Sequence, residues 1–295
     1  MFPIVLAHGI ARFDILREKL DEELNLSASP LDDELQYFKN IRTYLGANGF
    51  PSVFNTNVDF AGSLELRAEQ LKNRVNDIIG QTGAAKVHII AHSMGGLDAR
   101  KMIVDLDMAE KVASLTTIGT PHLGTILADR VIGHGGSLLI DILQKAVHLN
   151  LDGANDLTIT ACEAFNNRAR DSEAKNGIFY QTYSSFEEGN DMFLPLFASW
   201  AFIRAMDGRN DGLVPVRSQK WESELVASDG TRKQIIQKEF PFPADHLNEC
   251  GWWDLAEAVN PFFGGSLTQQ KANYELKVKN IYLEIAQNLQ NIPNQ

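Results

Sequence analysis

The stretch Val87-His88-Ile89-Ile90-Ala91-His92-Ser93-Met94-Gly95-Gly96 constrains this chain more than any other. It begins as an apolar run behind Lys86, turns abruptly at Ser93, and continues into Leu97-Asp98-Ala99-Arg100-Lys101-Met102, which reads as helix. A buried strand that ends in a tight turn and enters a helix is the setting of a nucleophile elbow, in which the turn serine is forced into a strained conformation. Gly95 is needed because a side chain there would collide with the neighbouring strand and helix. The pattern is G-x-S-x-G with Ala91 in place of the first glycine, and a methyl is the smallest intrusion available. The competing reading makes Ser93 an ordinary N-cap with a glycine-rich turn behind it.

The rest of the chain supplies a sheet for such an element. Pro3 to His8 reads as a buried strand ending at Gly9, and Val53 to Val58 as a second, short one. Asp33 to Ala47 has helical spacing and stops at Asn48-Gly49, and Leu64 to Ile79 is a strongly periodic helix closed by Gly80 and Gly83. After the Ser93 strand and its helix, Val112 to Ile118 is another strand, ending at Gly119-Thr120-Pro121-His122. Strands alternating with helices imply parallel pairing through crossover helices: an α/β fold, a mainly parallel sheet with helices on both faces.

The rhythm breaks between about residues 123 and 175. Leu138, Leu139, Ile142, Leu143 and Ala146 share one helical face there, between Gly135-Gly136 and Gly153, with no strand candidate. This reads as a helical insertion over the carboxyl end of the sheet, placed to act as a lid. A helix packed permanently on the core fits the same pattern. Gly177 to Tyr183 reads as the return strand and Phe197 to Ala205 as a short apolar segment. Gln234 to Phe240 follows as the last strand, and Gly251 to Val259 and Gln269 to Leu289 as closing helices. The last helix is expected to bury Tyr274, Val278, Ile281 and Ile285. Without a Pro/Ser-rich linker or an internal repeat, the whole of 1–295 reads as a single domain carrying this insertion.

A serine hydroxyl needs a base to take its proton and a third group to orient the base. In this architecture the chain order is serine, acid, histidine. Beyond Ser93 stand His122, His134, His148 and His246. His122 comes too early, and His134 and His148 sit in the insertion. His246 lies in Pro243-Ala244-Asp245-His246-Leu247, after the last strand and before a helix, where the base belongs. Asp191, Asp207, Asp211, Asp229 and Asp245 are open as the acid, with Asp211 in the sharp turn Asn210-Asp211-Gly212. A calcium-loop reading of 207–218 fails, because Arg209 and Ser218 stand where ligands belong. The oxyanion hole requires two backbone N–H groups, one from Met94 after the nucleophile and one from the loop after the first strand, where Gly9 lets Ile10 approach.

The segments Pro3 to Gly9, Ala91 to Gly96, Ile118-Gly119-Thr120-Pro121-His122-Leu123-Gly124, Asn210-Asp211-Gly212-Leu213-Val214-Pro215 and Asp245-His246-Leu247 occur in the order seen in the bacterial true lipases. The chain resembles that triacylglycerol lipase family of the α/β-hydrolase superfamily. The resemblance implies Ser93 as nucleophile, Asp211 as acid, His246 as base, and Ile10 and Met94 as oxyanion donors. Many larger members hold calcium through an aspartate two residues after the catalytic histidine. Asn248 stands there, a weaker neutral ligand, so no metal or other cofactor is expected. Many also carry a disulfide just after the catalytic aspartate, where this chain has Val216, Arg217 and Ser218.

The implied activity is a serine carboxylic ester hydrolase, a lipase or esterase acting on acylglycerols or other apolar esters. The alternative is another acyl hydrolase on the same triad: a thioesterase, an amidase or a polyester depolymerase. A non-catalytic binding module on the same fold is a third reading, opposed by the intact Ser, Asp and His. No H-E-x-x-H or comparable spacing supports a metal hydrolase. The net charge of −11 disfavours nucleic acid and anionic membrane as partners. The expected partner is a lipid or small ester, with transient contact at a lipid interface. No stretch is long and apolar enough to span a membrane. The expected location is cytoplasmic, or secreted with a leader not included in this sequence. Cys162 and Cys250 read as buried free thiols, with a single bridge between them left open.

Overall fold

The computed structural model describes residues 1–10, 37–60, 62–133, 151–252 and 267–292. The expected helix at 138–146 and the one from 251 to 259 lie outside these residues, apart from Gly251 and Trp252 of the second. Residues 33–36 of the helix predicted from Asp33 lie outside as well; 37–40 form a turn rather than helix, with Asn40 in the left-handed region at φ 56°, and the helix, α1, begins later than expected, as Ile41–Ala47.

Six parallel strands form the central sheet. They are β1 (Ile4–Ala7), β2 (Val53–Asn55), β3 (Val87–His92), β4 (Val112–Ile118), β5 (Phe179–Ser184) and, at the far edge, β8 (Ile236–Glu239), in the order β2-β1-β3-β4-β5-β8. Side chains alternate across a strand, and β1 shows the consequence. Ile4 and Leu6 enter a core built with Ile41 and Leu45 of α1 and Val278, Ile281, Tyr282 and Ile285 of the C-terminal helix α9 (Leu267–Gln290). Val5 and Ala7 enter the opposite core, with Ala68, Leu71, Val75 and Ile78 of α2 (Leu64–Thr82) and Ala99, Met102 and Ile103 of α3 (Met94–Asp105). Both faces of the sheet are therefore covered, as the unbroken apolar strands require. Tyr274 of α9 is only half-buried, at the margin against Phe242.

The stretch expected as an insertion divides in two. Helices α4 (Ile126–Gly133) and α5 (Leu151–Ala154) lie beyond the end of β4. Helix α6 (Ile159–Lys175), which the sequence reads as part of the insertion, is instead the crossover between β4 and β5. Its Glu173 carboxylate takes two bonds from Arg100 of α3, at 2.7 and 2.9 Å, and Ala174 enters the same core as Ala99. A parallel strand pair needs such a helix, and the break in rhythm hid it because α4 and α5 come first. Beyond β5 come α7 (Phe197–Asp207), which packs against α4, and the short α8 (Val216–Gln219). A small antiparallel hairpin, β6 (Glu224–Val226) with β7 (Arg232–Gln234), went unrecognised in the sequence. Its strands are three residues each, too short for alternation to register. Gln234 belongs to β7, and the last sheet strand starts at Ile236. Among the described residues no helix is long and apolar enough to cross a membrane.

Candidate active site

Ser93 stands between β3 and α3 with φ 55° and ψ −135°, a backbone region that costs a non-glycine residue roughly 1–3 kcal/mol. Three glycines make room for it. A Cβ on Gly95 would lie 2.5 Å from Ala7 O and 2.7 Å from His8 O, so the strand it would strike is β1. One on Gly96 would strike the Thr120 side chain, whose hydroxyl donates to Ser93 O at 2.8 Å. One on Gly9 would lie 2.6 Å from the Ser93 Cβ and 2.7 Å from the Tyr37 hydroxyl. The apolar strand, the strained serine and these close backbone approaches hold the Ser93 hydroxyl at the carboxyl end of the sheet.

Asp211 and His246 meet there. His246 Nδ1 and Asp211 Oδ2 are 2.8 Å apart, and the His246 N–H donates to Asp211 O at 2.8 Å. The turn after Asn210 orients the carboxylate. Its Oδ1 accepts from Leu213 N at 2.9 Å and Val214 N at 2.7 Å, and its Oδ2 from Gln219 Nε2 at 3.0 Å. The other aspartates are engaged elsewhere. Asp207 pairs with Arg217, Asp229 with Lys175 at 3.0 Å, and the Asp245 Oδ1 caps Leu247 N and Asn248 N at 2.9 Å each. Asp191 lies in a turn after β5, its N–H bonded to Glu188 O. No hydrogen bond joins Ser93 to His246 in this arrangement, although both line one cavity. Catalytic bonds of this kind often close only around a bound substrate.

That cavity is walled by Ile10, Leu127, Ala128, Val131, Ala154 and Leu157, with Leu213 and Val214 on the acid side. Its lining is apolar except around Ser93, His246 and Thr125. Met94 is the first residue of α3, so its N–H is one of the unpaired donors at the positive end of the helix dipole. Ile10 lies across the cavity, buried.

The Ile10 loop is tied down by residues the sequence reading passed over. His8 Nδ1 donates to Gly9 O at 2.8 Å, and its Nε2 accepts from Val58 N at 3.2 Å. Burial, then the charge of Arg67, lowers the His8 pKa to about 3, so the ring is neutral as this bonding requires. Arg67 donates from Nη2 to His8 O at 2.9 Å and holds Asp98 through Nη2 at 2.6 Å and Nε at 3.0 and 3.1 Å. Burial raises Asp98 to about 6 against the pull of Arg67. Arg67 sits on the apolar face of α2, and nothing in the linear spacing reveals that its partner is five residues past the serine. His122 is likewise structural: it stacks on Trp221 at 4.6 Å, and its Nε2 meets Thr117 Oγ1 at 2.8 Å.

Glu249 was also missed. It is fully buried beside His246, bonded to His92 Nε2 at 2.8 Å and 3.6 Å from His246 Nδ1. His92, His246 and Glu249 form a cluster with metal-like spacing, but His246 Nδ1 already faces Asp211, so a cation there would displace that bond. Asn248 does not fit a calcium site either. Its Oδ1 accepts from Asp245 N at 3.0 Å and its amide donates to Trp252 O at 2.8 Å. Cys162 and Cys250 are both buried free thiols.

Residues 51–156 match the family described as PGAP1-like alpha/beta domain. The chain is 28% identical to triacylglycerol lipase 2 of Saccharomyces cerevisiae over 97% of its own length and 90% of that protein. It is 36% identical to the triacylglycerol lipase of Vibrio cholerae over 45% of its length, spanning only 36% of that protein. In three dimensions it resembles the mature lipase BlEst2 of Bacillus licheniformis, with a TM-score of 0.60 and 20% identity, covering 83% of this chain and 84% of that one. Lipase 1 of Pelosinus fermentans aligns with a TM-score of 0.57 and 18% identity, over 93% of this chain and 98% of that one. Sheet order and elbow give the chain the α/β-hydrolase fold, and its relatives support a lipase family of the α/β-hydrolase superfamily.

Proposed function

We propose that this chain hydrolyses carboxylic esters of apolar acyl groups, acylglycerols among them, through Ser93, His246 and Asp211. Ser93 Oγ attacks the ester carbonyl while His246 Nε2 takes its proton. The oxyanion that forms is held by the N–H groups of Ile10 and Met94. His246 then passes the proton to the leaving alcohol, and water repeats the sequence on the acyl-enzyme. Asp211 fixes the Nδ1–H tautomer and stabilises the imidazolium. The observation that carries this reading is the 2.8 Å Asp211–His246 bond opening onto the same apolar cavity as a strained Ser93. The cavity walls suit an acyl chain. The exposed Leu194, Phe197 and Met206, on and just before α7, offer an apolar surface for transient contact with a lipid interface.

Ser93→Ala is expected to abolish turnover of p-nitrophenyl butyrate and octanoate and labelling by a fluorophosphonate probe. Wild-type turnover in that variant sinks the proposal. Octanoate assays taken across the ester's solubility limit read the interface contact, with a rate that rises on aggregates supporting it and a flat rate opposing it.

A further inference from the structure

The mechanism above uses one carboxylate, yet a second lies against the same imidazole. Glu249 Oε2 faces His92 Nε2 at 2.8 Å and His246 Nδ1 at 3.6 Å, and Oε1 meets the Ser185 hydroxyl at 2.5 Å. Gly119, with φ 58°, is the residue against it, and a Cβ there would overlap the Glu249 carboxyl. The titratable groups around it are His92 at the end of β3, Asp211 and His246 on their two loops, Asp245 and Cys250 on its own segment, Tyr37 behind His92, and Tyr282 of α9, whose hydroxyl donates to Glu249 O at 2.8 Å. No lysine or arginine pairs with it among the described residues.

Counting hydrogens decides its state. Ser185 Oγ carries one hydrogen and has two oxygen neighbours, Ala244 O at 2.7 Å and Glu249 Oε1. A carbonyl oxygen only accepts, so the Ser185 hydrogen goes to Ala244 and the second bond needs a hydrogen from the carboxyl itself. With Glu249 ionised, one of these contacts would set oxygen against oxygen in a dry site. On the other side, a neutral His92 donates from Nε2 to Glu249 and accepts the Tyr37 hydroxyl at Nδ1, 2.6 Å away. The electrostatics agree. Burial, then the Asp211 charge, pushes the Glu249 carboxyl well above the usual range, and burial holds His92 well below its own.

We infer that Glu249 is a protonated positioning residue. With Ser185, His92 and Tyr37 it ties the loop of the base to the loop of the oxyanion donor at Gly9, and it leaves Asp211 the sole anion on His246. This rests on the assignment of His246 as the base. A second anion at 3.6 Å would stabilise the imidazolium in the resting enzyme and weaken its transfer of a proton to the leaving group.

Infrared spectra read the protonation state directly. The difference between wild type and Glu249→Gln at about pH 8 is expected to show the C=O stretch of a protonated carboxyl, since an unperturbed Glu titrates near 4.3. Loss of a carboxylate band in its place overturns the proposal. Should the variant not fold, carbon-13 labelling of glutamate in Glu187→Gln gives the same reading, since burial raises Glu187 as well, to about 8, and its own band must be removed. The acidic limb of kcat/KM is the second readout. Gln retains a hydrogen donor and an acceptor and removes no charge, so Glu249→Gln should move the limb by well under one unit, whereas Glu249→Ala should lower kcat about 10- to 100-fold. Removing a neighbouring anion destabilises the imidazolium, so a limb displaced about one unit or more toward acid in Glu249→Gln overturns the proposal. Fluorophosphonate labelling run in parallel keeps the readings apart. Failure to label Ser93 counts against the hydrolase assignment and leaves the infrared result standing.

Discussion

Replacing Gly95 by alanine tests the elbow and the oxyanion hole together. The added methyl would sit 2.5 Å from Ala7 O, whereas ordinary contact begins at 3.4 Å, so 0.9 Å must be found. It cannot come from a flexible side chain, because the next atoms are His8 O at 2.7 Å and Ala7 C at 2.9 Å, all main chain. Either α3 backs away from the sheet or the end of β1 recedes, carrying His8, Gly9 and Ile10 with it. Overpacking of this kind costs about 1–3 kcal/mol of stability. On the proposed assignment the catalytic effect is larger, because the displaced segment holds Ile10, one proposed oxyanion donor, and the other, Met94, is the residue just before the new methyl. Losing one such donor costs about 10²–10³ in kcat. Gly95→Ala is therefore expected to fold, to lower kcat for p-nitrophenyl butyrate about a hundredfold, and to leave KM nearly unchanged, since the oxyanion exists only after attack. Gly80→Ala is the control. That glycine is within α2 with nothing inside 4 Å of its added Cβ, and the change should stabilise the protein by about 0.5–1 kcal/mol without touching kcat. Wild-type kcat in Gly95→Ala, with the melting temperature lowered, would refute the claim that β1 and α3 jointly set the donor geometry.

Acid lability has a defined sign. Burial lowers His8 to about 3 and His88 to about 4, so the unfolded chain takes up protons that the folded chain refuses as pH falls from 6.5. The stability these rings contribute is present above 6.5 and lost toward about 4, and urea midpoints for His88→Gln should fall less steeply over that window than those of the wild type; parallel curves refute it. Ala154→Phe tests whether the cavity holds the acyl chain: it places a ring among Val131, Leu157 and Ala128, and the octanoate-to-butyrate ratio of kcat/KM should drop about tenfold or more, with an unchanged ratio showing that the acyl chain lies elsewhere.

Much of the site was legible because its most demanding part is local. Strain at Ser93 is imposed by consecutive residues: an apolar strand, a serine, and the glycines at 95 and 96 that let β1 and Thr120 close in. The parallel sheet was legible from unbroken apolar strands alternating with amphipathic helices. Two features are not legible in the chain. Helix α6 reads as insertion because the helices before it obscure its role as a crossover, and the β6–β7 hairpin is too short for its pattern to rise above that of a loop.

What the sequence determined by itself was the presence of the elbow, the fold class, and the order serine, aspartate, histidine. Residue chemistry alone left five aspartates open, the resemblance pointed to Asp211, and the tertiary structure turns that one to His246. It also decided that Arg67 and Asp98 would brace the His8 carbonyl, and that Glu249 would lie dry between His92 and Ser185. The physical reason is the range of the forces involved. Backbone strain and amphipathic burial act over a few neighbouring residues and leave a pattern in the chain. A carboxylate's role depends on which donors, charges and solvent surround it, and the hydrogen-bond partners of the Glu249 carboxyl, Ser185 and His92, stand 64 and 157 residues away.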